Sequence, residues 1–227
     1  MKVLVSWSSG KDSAWVLHVL QRELPGGAAA LLTTVSEAHD RVAMHGVRTS
    51  VLRAQADAAG LPLITVLLPS PCSNEVYEDR MRAVVEQAVA AGFTHVAFGD
   101  LFLEDVRKYR EDRLHATGLQ PLFPLWGRPT AVLAREMIAG GLEARVTCVD
   151  PRLVPADLAG RLFDPNLLEA LPRGVDPCGE RGEFHTCVVA GPMLSRRIEV
   201  TLGEIVERDS FVFADLALQP PLAGIIR

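Results

Sequence analysis

One segment near the N-terminus has the residue types needed to bind phosphate: Ser8-Ser9-Gly10-Lys11-Asp12-Ser13. It follows the apolar run at residues 3–5 and precedes a helical pattern, which places it between a strand and the first turn of a helix. The free N–H groups and positive dipole at a helix start favour phosphate, and the hydroxyl groups and Lys11 add donors. Asp12 suits a helix cap or a Mg²⁺ ligand. A serine-rich N-cap turn without a ligand is the alternative interpretation.

A second segment, Glu180-Arg181-Gly182-Glu183-Phe184-His185-Thr186, places charged and hydrogen-bonding groups around a glycine in a predicted loop. Loops carry functional residues disproportionately often. Two carboxylates three residues apart are suited to holding Mg²⁺ or an amine, which makes Glu180 and Glu183 candidate site residues. An exposed charged turn is the alternative interpretation of this segment.

Two weaker candidates follow other predicted elements. Gly99 and Asp100 come directly after a predicted strand, at the edge where parallel sheets bind ligands. Glu104 and Arg107 are spaced to face each other on a helix, and a capped helix with a surface ion pair explains them equally well. His45 is suited to stacking on a nucleotide base or to capping a helix.

The order of the predicted elements indicates an α/β fold. Helical patterns alternate with short apolar runs over the first hundred residues, which predicts a doubly wound parallel sheet. The predicted strands are 3–5, 31–35, 63–68 and 95–98, and the predicted helices begin near residues 12, 47 and 76. After residue 150 the pattern changes to a short helix at 165–171 and strands at 187–190, 197–201 and 211–213. We therefore predict a nucleotide-binding domain over 1–150 and a smaller C-terminal α+β subdomain over 151–227.

The composition of the 227-residue chain narrows its class. Hydrophobic residues make up 48% and charged residues 22%, as in a globular protein, and the net charge of −5 argues against a surface built to bind nucleic acid or an anionic membrane. No apolar run is long enough to cross a bilayer. The scattered cysteines Cys72, Cys148, Cys178 and Cys187 indicate reduced thiols, so a cytoplasmic protein is expected. A homo-oligomer is left open.

The phosphate-binding segment is not a Walker A loop, because Lys11 is followed by Asp12. It resembles the PP-loop, S-G-G-x-D-S, of the N-type ATP pyrophosphatases, with Ser9 where that family usually has glycine. Over nearly its whole length the chain resembles the diphthine–ammonia ligase family, the ATP-binding domain of diphthamide synthesis. Besides the loop, the resemblance rests on Met44-His45-Gly46-Val47-Arg48, Gly99-Asp100 with Glu104-Asp105 and Arg107, Phe123-Pro124-Leu125-Trp126-Gly127, and Asp176-Pro177-Cys178-Gly179 continuing through Thr186.

The resemblance implies a HUP-like domain that uses ATP and Mg²⁺, and it implies roles for the candidate residues. The catalytic residues would be Lys11, Asp12, Glu180 and Glu183. The nucleotide would be bound by Ser8, Ser9, Gly10, Lys11, Asp12, Ser13, His45, Gly99 and Asp100. The substrate would be bound by Glu104, Arg107, Glu180, Arg181, Glu183, His185 and Thr186. The metal ligands would be Asp12 and Asp100.

The implied reaction is formation of an amide from a carboxylate and ammonia. ATP would adenylate the carboxylate with release of pyrophosphate, and free ammonium or a separate subunit would supply the ammonia, because no residues remain for a glutaminase domain. The family acceptor is diphthine on elongation factor 2. The arginine-, alanine- and glycine-rich composition favours a bacterial source, and bacteria lack diphthamide, so a small metabolite is the other acceptor considered. A PP-loop enzyme that acts on RNA and a non-catalytic nucleotide-binding module remain as alternatives.

Overall fold

The computed structural model describes residues 1–220 and contains two β-sheets. The first sheet has five parallel strands, in which β1 pairs with both β2 and β5, β2 also pairs with β4, and β5 pairs with β6. These strands are β1 (Val3–Ser6), β2 (Ala28–Ser36), β4 (Leu63–Leu68), β5 (His95–Ala97) and β6 (Gln120–Leu122). A sixth, two-residue strand, β3 (Arg41–Val42), pairs antiparallel with the end of β2.

Helices cover both faces of this sheet. They are α1 (Lys11–Glu23), α2 (Thr49–Ala59), α3 (Asn74–Ala90), α4 (Glu104–Leu114) and α5 (Thr130–Ala139). Because side chains alternate along a strand, Val3 and Val5 join one apolar cluster while Leu4 joins another on the opposite face. The predicted doubly wound α/β arrangement is therefore confirmed.

The second sheet is antiparallel, with the strand order β8-β7-β10-β9. Its strands are β7 (Glu143–Val149), β8 (Phe184–Ala190), β9 (Val200–Arg208) and β10 (Phe211–Leu218), and a short helix, α6 (Pro165–Ala170), precedes β8. β7 comes from before residue 150 in the chain yet pairs with β8 and β10. The domain boundary at residue 150 stays a prediction, and residues 221–227 of the predicted subdomain lie outside the described residues.

Two predictions about the second sheet are wrong. Residues 184–186 were expected in a loop, but they form the start of β8, because the largely buried run of strand-forming residues from Phe184 onward pairs with β7. The strand expected at 197–201 begins only at Val200 and extends to Arg208. The first of these errors matters for the site, because it places His185 and Thr186 on a rigid element.

The two sheets meet beside the phosphate-binding segment. The Val188 N–H of β8 donates to the carbonyl of Ser9 at 2.9 Å, and Ser195 N–H donates to the carbonyl of Ala58 at the end of α2 at 2.7 Å. The Asp215 carboxylate of β10 binds Arg41 of β3 and Arg48, which precedes α2. Within residues 1–220 no helix combines the length and apolar character that crossing a membrane requires.

Candidate functional site

The segment from Ser8 to Ser13 forms a loop between β1 and α1, as predicted. Ser9 has a left-handed backbone with φ of 69°, Gly10 is extended, and the helix begins at Lys11. The Ser13 hydroxyl donates to the carbonyl of Gly10 at 3.0 Å, and the hydroxyl groups of Ser8 and Ser13 lie 3.2 Å apart. The loop therefore presents the N-terminal turn of α1 together with a row of serine hydroxyl groups.

His45 packs directly against this loop. A Cβ atom at Gly10 would lie 2.5 Å from Cε1 of His45, so only glycine fits at that position. Nδ1 of His45 donates to the carbonyl of Thr186 at 2.9 Å, and the His185 ring lies 4.7 Å from the His45 ring. Burial lowers the pKa of His45 to about 4 and that of His185 to about 3. Both imidazoles are therefore neutral at pH 7.

Lys11 is buried where the start of α1 meets Phe163, Cys178 and Phe184. Its ammonium lies 2.8 Å from Oδ2 of Asp12 and also donates to the carbonyl of Cys178, and the rings of Phe163 and Phe184 lie 5.7 and 5.5 Å away. Burial works against the charged form, but the attraction of Asp12 and other anionic groups leaves the pKa of Lys11 raised. Lys11 therefore stays charged while two of its three hydrogens are used by the protein.

Asp12, Asp100 and Glu180 form an acidic group at the edge of the same loop. Gly99 approaches the start of α1 so closely that an added Cβ would lie 3.2 Å from Cβ of Asp12. Glu180 accepts from the N–H of Leu101 at 2.7 Å. Burial raises the pKa of Glu180 to about 7, and the negative charges of Asp12 and Asp100 add to the increase. Burial also raises the pKa of Asp100, against the opposing effect of Arg110.

Glu183 has a different environment from Glu180. It is 3% exposed, and its two oxygens accept from the backbone N–H groups of Asp176 at 3.1 Å and Arg181 at 2.9 Å. Asp176 in turn accepts from the Glu180 N–H at 2.9 Å. Glu183 therefore holds the turn that carries Glu180, and it does so with both carboxylate oxygens already engaged.

Three buried polar atoms around the loop have no hydrogen-bond partner within residues 1–220: Oγ of Ser9, Oδ1 of Asp12 and Nε2 of His185. A buried polar group without a partner is costly, so native structures rarely keep one unless a ligand or water satisfies it. All three belong to segments that the sequence assigned to nucleotide or substrate binding. Ser9 Oγ and His185 Nε2 can donate to a ligand rich in oxygen atoms, whereas Asp12 Oδ1 is an acceptor that fits a cation bound with such a ligand.

Two predicted substrate residues, Glu104 and Arg107, lie on α4. Glu104 is exposed. Arg107 does not face Glu104 as its spacing suggested; it pairs with Glu111 at 2.8 Å, and its guanidinium lies 4.8 Å from the ring centres of both Phe123 and Trp126. Glu111 lies one turn after Arg107 on the helix, and side chains at this (i, i+4) spacing form ion pairs readily.

The exposed Arg181 guanidinium lies 5.2 Å from the Phe102 ring. Gly127 N–H donates to the carbonyl of Leu101 at 2.8 Å, which attaches the turn at residues 123–127 to the residue that binds Glu180. A cationic and aromatic surface therefore borders the acidic group.

Sequence reasoning missed the residues that brace the loop from behind. Gln55 of α2 is fully buried and bonds to Ser9, Val188 and Trp7, and Cys178 contributes its carbonyl to Lys11. Burial raises the pKa of the Cys178 thiol to about 12, so that thiol stays protonated. The sequence feature that could have identified Gln55 is the presence of a polar residue on the apolar face of a predicted helix.

A cavity of about 530 Å³ lies between the end of β2, the β3–α2 connection and strands β9 and β10. Its wall includes Met44 and Gly46, which flank His45, and the aromatic rings of Phe211 and Phe213. His45 therefore stands between this cavity and the phosphate-binding loop. Within the described part of the chain, no three His, Cys, Asp or Glu side chains lie close enough to hold a metal ion by themselves.

Comparison with known proteins finds relatives that match most of the chain. Sequence models of the diphthamide synthase N-terminal and C-terminal domains match residues 1–121 and 129–216. The chain is similar to the diphthine–ammonia ligases of Homo sapiens (27% identity over 96% of this chain and 89% of the relative), Rattus norvegicus (28%, with the same coverage) and Danio rerio (27% over 94% and 92%). The resemblance drawn from the sequence is confirmed, and the chain belongs to the diphthamide synthase family.

Proposed function

We propose that this chain is an ATP-dependent, AMP-forming ligase that adenylates a carboxylate and then transfers ammonia to it. The observation that carries the proposal is the set of unsatisfied buried atoms, Ser9 Oγ, Asp12 Oδ1 and His185 Nε2, around the start of α1. One of these atoms belongs to Asp12, whose charge acts on Glu180, a carboxyl group with a pKa of about 7. The names of the relatives, all diphthine–ammonia ligases, support this chemistry.

The triphosphate would bind at the N-terminal turn of α1. Backbone N–H groups, the positive end of the helix dipole and the hydroxyl groups of Ser8, Ser9 and Ser13 all favour its negative charge there. The Lys11 ammonium adds a nearby positive charge while it holds Asp12. Neutral His185 has one free ring nitrogen, which would donate to an oxygen of the nucleotide.

Asp12 and Asp100 would hold Mg²⁺ together with phosphate oxygens. The unsatisfied Asp12 Oδ1 fits that role, and a protein that supplies only one or two carboxylates is typical of Mg²⁺–nucleotide sites. When bound, the ion would neutralise negative charge on the phosphates. The need to bind Mg²⁺ would also explain why two carboxylates lie next to a phosphate-binding loop.

The proposed reaction has two steps. A carboxylate oxygen of the acceptor attacks the α-phosphorus of ATP, the bond between the α-phosphorus and the bridging oxygen breaks, and pyrophosphate leaves. Ammonia then attacks the acyl carbon, AMP leaves, and one proton is released with the amide. A carboxylate cannot be amidated directly because oxide is too poor a leaving group, and adenylation replaces it with AMP.

Glu180 is the best-placed group to take that proton. A general base works best when its pKa lies near the working pH, and only one of its oxygens is engaged, by the N–H of Leu101. Glu183 is proposed to act differently, because both of its oxygens hold the backbone of the turn that carries Glu180. Its contribution is to position the acceptor side of the site.

The acceptor is proposed to approach from the side of β5 and β6. Arg107 and Arg181 lie there beside aromatic rings and suit a carboxylate. The relatives are named for diphthine and ammonia. Diphthine on elongation factor 2 and a small carboxylate metabolite are therefore the two acceptor classes to test, with ammonium as the nitrogen donor.

Product analysis tests the proposal. The protein is incubated with ATP, Mg²⁺, ammonium and a panel of carboxylates that includes diphthine-bearing elongation factor 2. We expect AMP and pyrophosphate that depend on one acceptor, and an Asp12→Asn control that loses roughly a hundredfold or more in turnover. Formation of ADP and phosphate would contradict the proposed site of ATP cleavage, and tight ATP binding without any turnover would favour a binding module.

A further inference from the structure

Gln55 joins three segments behind the phosphate-binding loop. Its Nε2 donates to the carbonyl oxygens of Ser9 at 3.1 Å and Val188 at 2.8 Å, and its Oε1 accepts from Nε1 of Trp7 at 3.0 Å. The residue is fully buried, so the amide has exchanged its contacts with water for these partners. Because donors and acceptors are both used, the amide has one preferred orientation.

The carbonyl of Ser9 receives two of the hydrogen bonds in this cluster. Gln55 donates to it from α2, and the N–H of Val188 donates to it from β8 at 2.9 Å. The peptide bond is planar and trans, so the N–H of Gly10 points away from the direction of the Ser9 carbonyl. That N–H approaches the Ser8 hydroxyl at 3.3 Å, on the side of the loop that carries the serine hydroxyl groups.

Ser9 also has a backbone conformation that costs free energy. Its φ of 69° lies in the left-handed region, which glycine adopts readily and other residues do not. Ser9 is completely buried, so water cannot stabilise its carbonyl in another way. The two donors behind the loop are therefore what keeps Ser9 in this conformation.

We propose that Gln55 is a positioning residue for nucleotide binding, which fixes the Ser9–Gly10 peptide and offsets the left-handed backbone of Ser9. The inference rests on the proposed function, because the nucleotide is the ligand of the loop. Without Gln55, Ser9 relaxes toward negative φ, and the Gly10 N–H turns away from the nucleotide. Gln55 itself lies behind the loop and touches no ligand.

The size of the effect follows from the population of the binding-competent loop. A left-handed backbone is disfavoured roughly tenfold for a residue with a Cβ, so loss of the brace raises the apparent Kd for ATP about tenfold. Glycine populates positive and negative φ about equally, so with glycine at position 9 the same loss raises the Kd only about twofold. The residue at position 9 therefore decides how much Gln55 matters.

The experiment measures the Kd for ATP by calorimetry in six proteins. Gln55→Met is made in three backgrounds: the wild type, Ser9→Ala and Ser9→Gly. Each of these proteins is compared with the protein of the same background that retains Gln55. Ser9→Ala is the matched control, because it removes the hydroxyl group but keeps the left-handed strain. We expect a loss of about tenfold with Ser9 and with Ser9→Ala, and about twofold with Ser9→Gly. Equal losses in all three backgrounds would overturn the inference.

Two further variants separate this effect from general instability. Val66→Ala removes buried volume on the opposite face of the sheet, and its Kd for ATP should equal that of the wild type at a temperature where both are folded. Trp7→Phe removes the hydrogen bond that orients the amide, together with part of a buried ring, and it should give a smaller loss with the same dependence on residue 9. This variant replaces Gln55→Met if that protein does not fold.

The outcomes also separate this inference from the proposed function. A wild-type protein that does not bind ATP would overturn both. ATP binding with losses that do not depend on residue 9 would overturn the role of Gln55 alone.

Discussion

The ammonium of Lys11 donates to the backbone carbonyl of Cys178, which lies 167 residues further along the chain. Lys11 begins α1 directly after the phosphate-binding loop, and Cys178 precedes the turn that carries Glu180. The same ammonium binds Asp12, the proposed Mg²⁺ ligand. One buried cation therefore connects the nucleotide side of the site to the acceptor side.

Replacing this cation should mainly reduce stability. Lys11→Met leaves the Asp12 carboxylate without its partner, and losing one member of such a pair costs about 3 kcal/mol of unfolding free energy. The double variant Lys11→Met, Asp12→Asn removes both charges and should recover about half of that loss. Urea unfolding of the single and double variants measures both values. A Lys11→Met protein as stable as the wild type would show that the ion pair does not hold these segments together.

Glu180 should control the pH dependence of the reaction. Its pKa is raised to about 7 by burial, so the carboxylate form, which accepts the proton, becomes available as the pH rises through 7. His45 and His185, with lowered pKa values, stay neutral over that range. With the concentration of free ammonia held constant, we expect turnover to increase from pH 6 to pH 8 in the wild type, and Glu180→Gln to lack this increase. A variant that keeps the same pH profile would remove Glu180 from the proton-transfer step.

The same raised pKa predicts an effect on stability. The folded state holds the Glu180 proton more tightly than the unfolded state, so stability falls as the pH rises from 4.5 toward 7. Glu180→Gln has no such charge to bury and keeps an oxygen for the Leu101 N–H. Thermal unfolding should therefore show the variant more stable than the wild type at pH 8, by on the order of 1 kcal/mol, and equal to it at pH 4.

Glu183→Gln should weaken the acceptor step more than ATP binding. An amide nitrogen cannot accept a hydrogen bond, so either the Asp176 N–H or the Arg181 N–H loses its partner, at a cost of roughly 1–3 kcal/mol. The turn that carries Glu180 then loosens while the loop at α1 stays intact. Acceptor-dependent AMP formation and the Kd for ATP, measured side by side, test this. Glu199→Gln, an exposed glutamate, is the matched control and should change neither.

The ion pairs of Asp215 should make the contact between β10 and the β3–α2 segment sensitive to acid. Hydrogen bonds from Arg48, with a further contribution from Arg41, lower the pKa of Asp215 to about 2. A lowered pKa stabilises the folded state above the ordinary value of 3.8, and that contribution is lost as the pH falls from about 4 to 2. Asp215→Asn should cost about 1 kcal/mol at pH 7 and nothing near pH 2, as measured by urea unfolding. Equal costs at both pH values would assign the effect to packing.

The sequence predicted four of the six strands of the first sheet because their signals are local, whereas the short strands β3 and β6 were missed. An apolar strand, a serine- and glycine-containing loop and a helical pattern follow one another over residues 3–23, and the same order recurs along the first sheet. The candidate residues near Ser9, Asp100 and Glu180 could be found in the same way, because they stand at strand ends or in unusual clusters. Local pattern and global fold agree for this part of the chain.

The remaining features depend on contacts between distant residues. Gln55 meets Val188 across 133 positions, and no pattern within α2 indicates that its amide will brace the phosphate-binding loop. Residues 184–186 looked like part of a charged turn, and only pairing with β7 makes them a strand. Likewise, the difference between Glu180 and Glu183 comes from the backbone N–H groups around each carboxylate, which the sequence does not specify.

The most direct test of the central claim uses an acceptor whose carboxylate carries oxygen-18 in both positions. In the proposed reaction the carboxylate attacks the α-phosphorus, so one labelled oxygen leaves with the nucleotide when ammonia forms the amide. Mass spectrometry of the products should therefore find AMP with one oxygen-18 in its phosphate and unlabelled pyrophosphate. AMP without label would mean that water attacks ATP, and label in inorganic phosphate with ADP as the other product would contradict cleavage between the α and β phosphates.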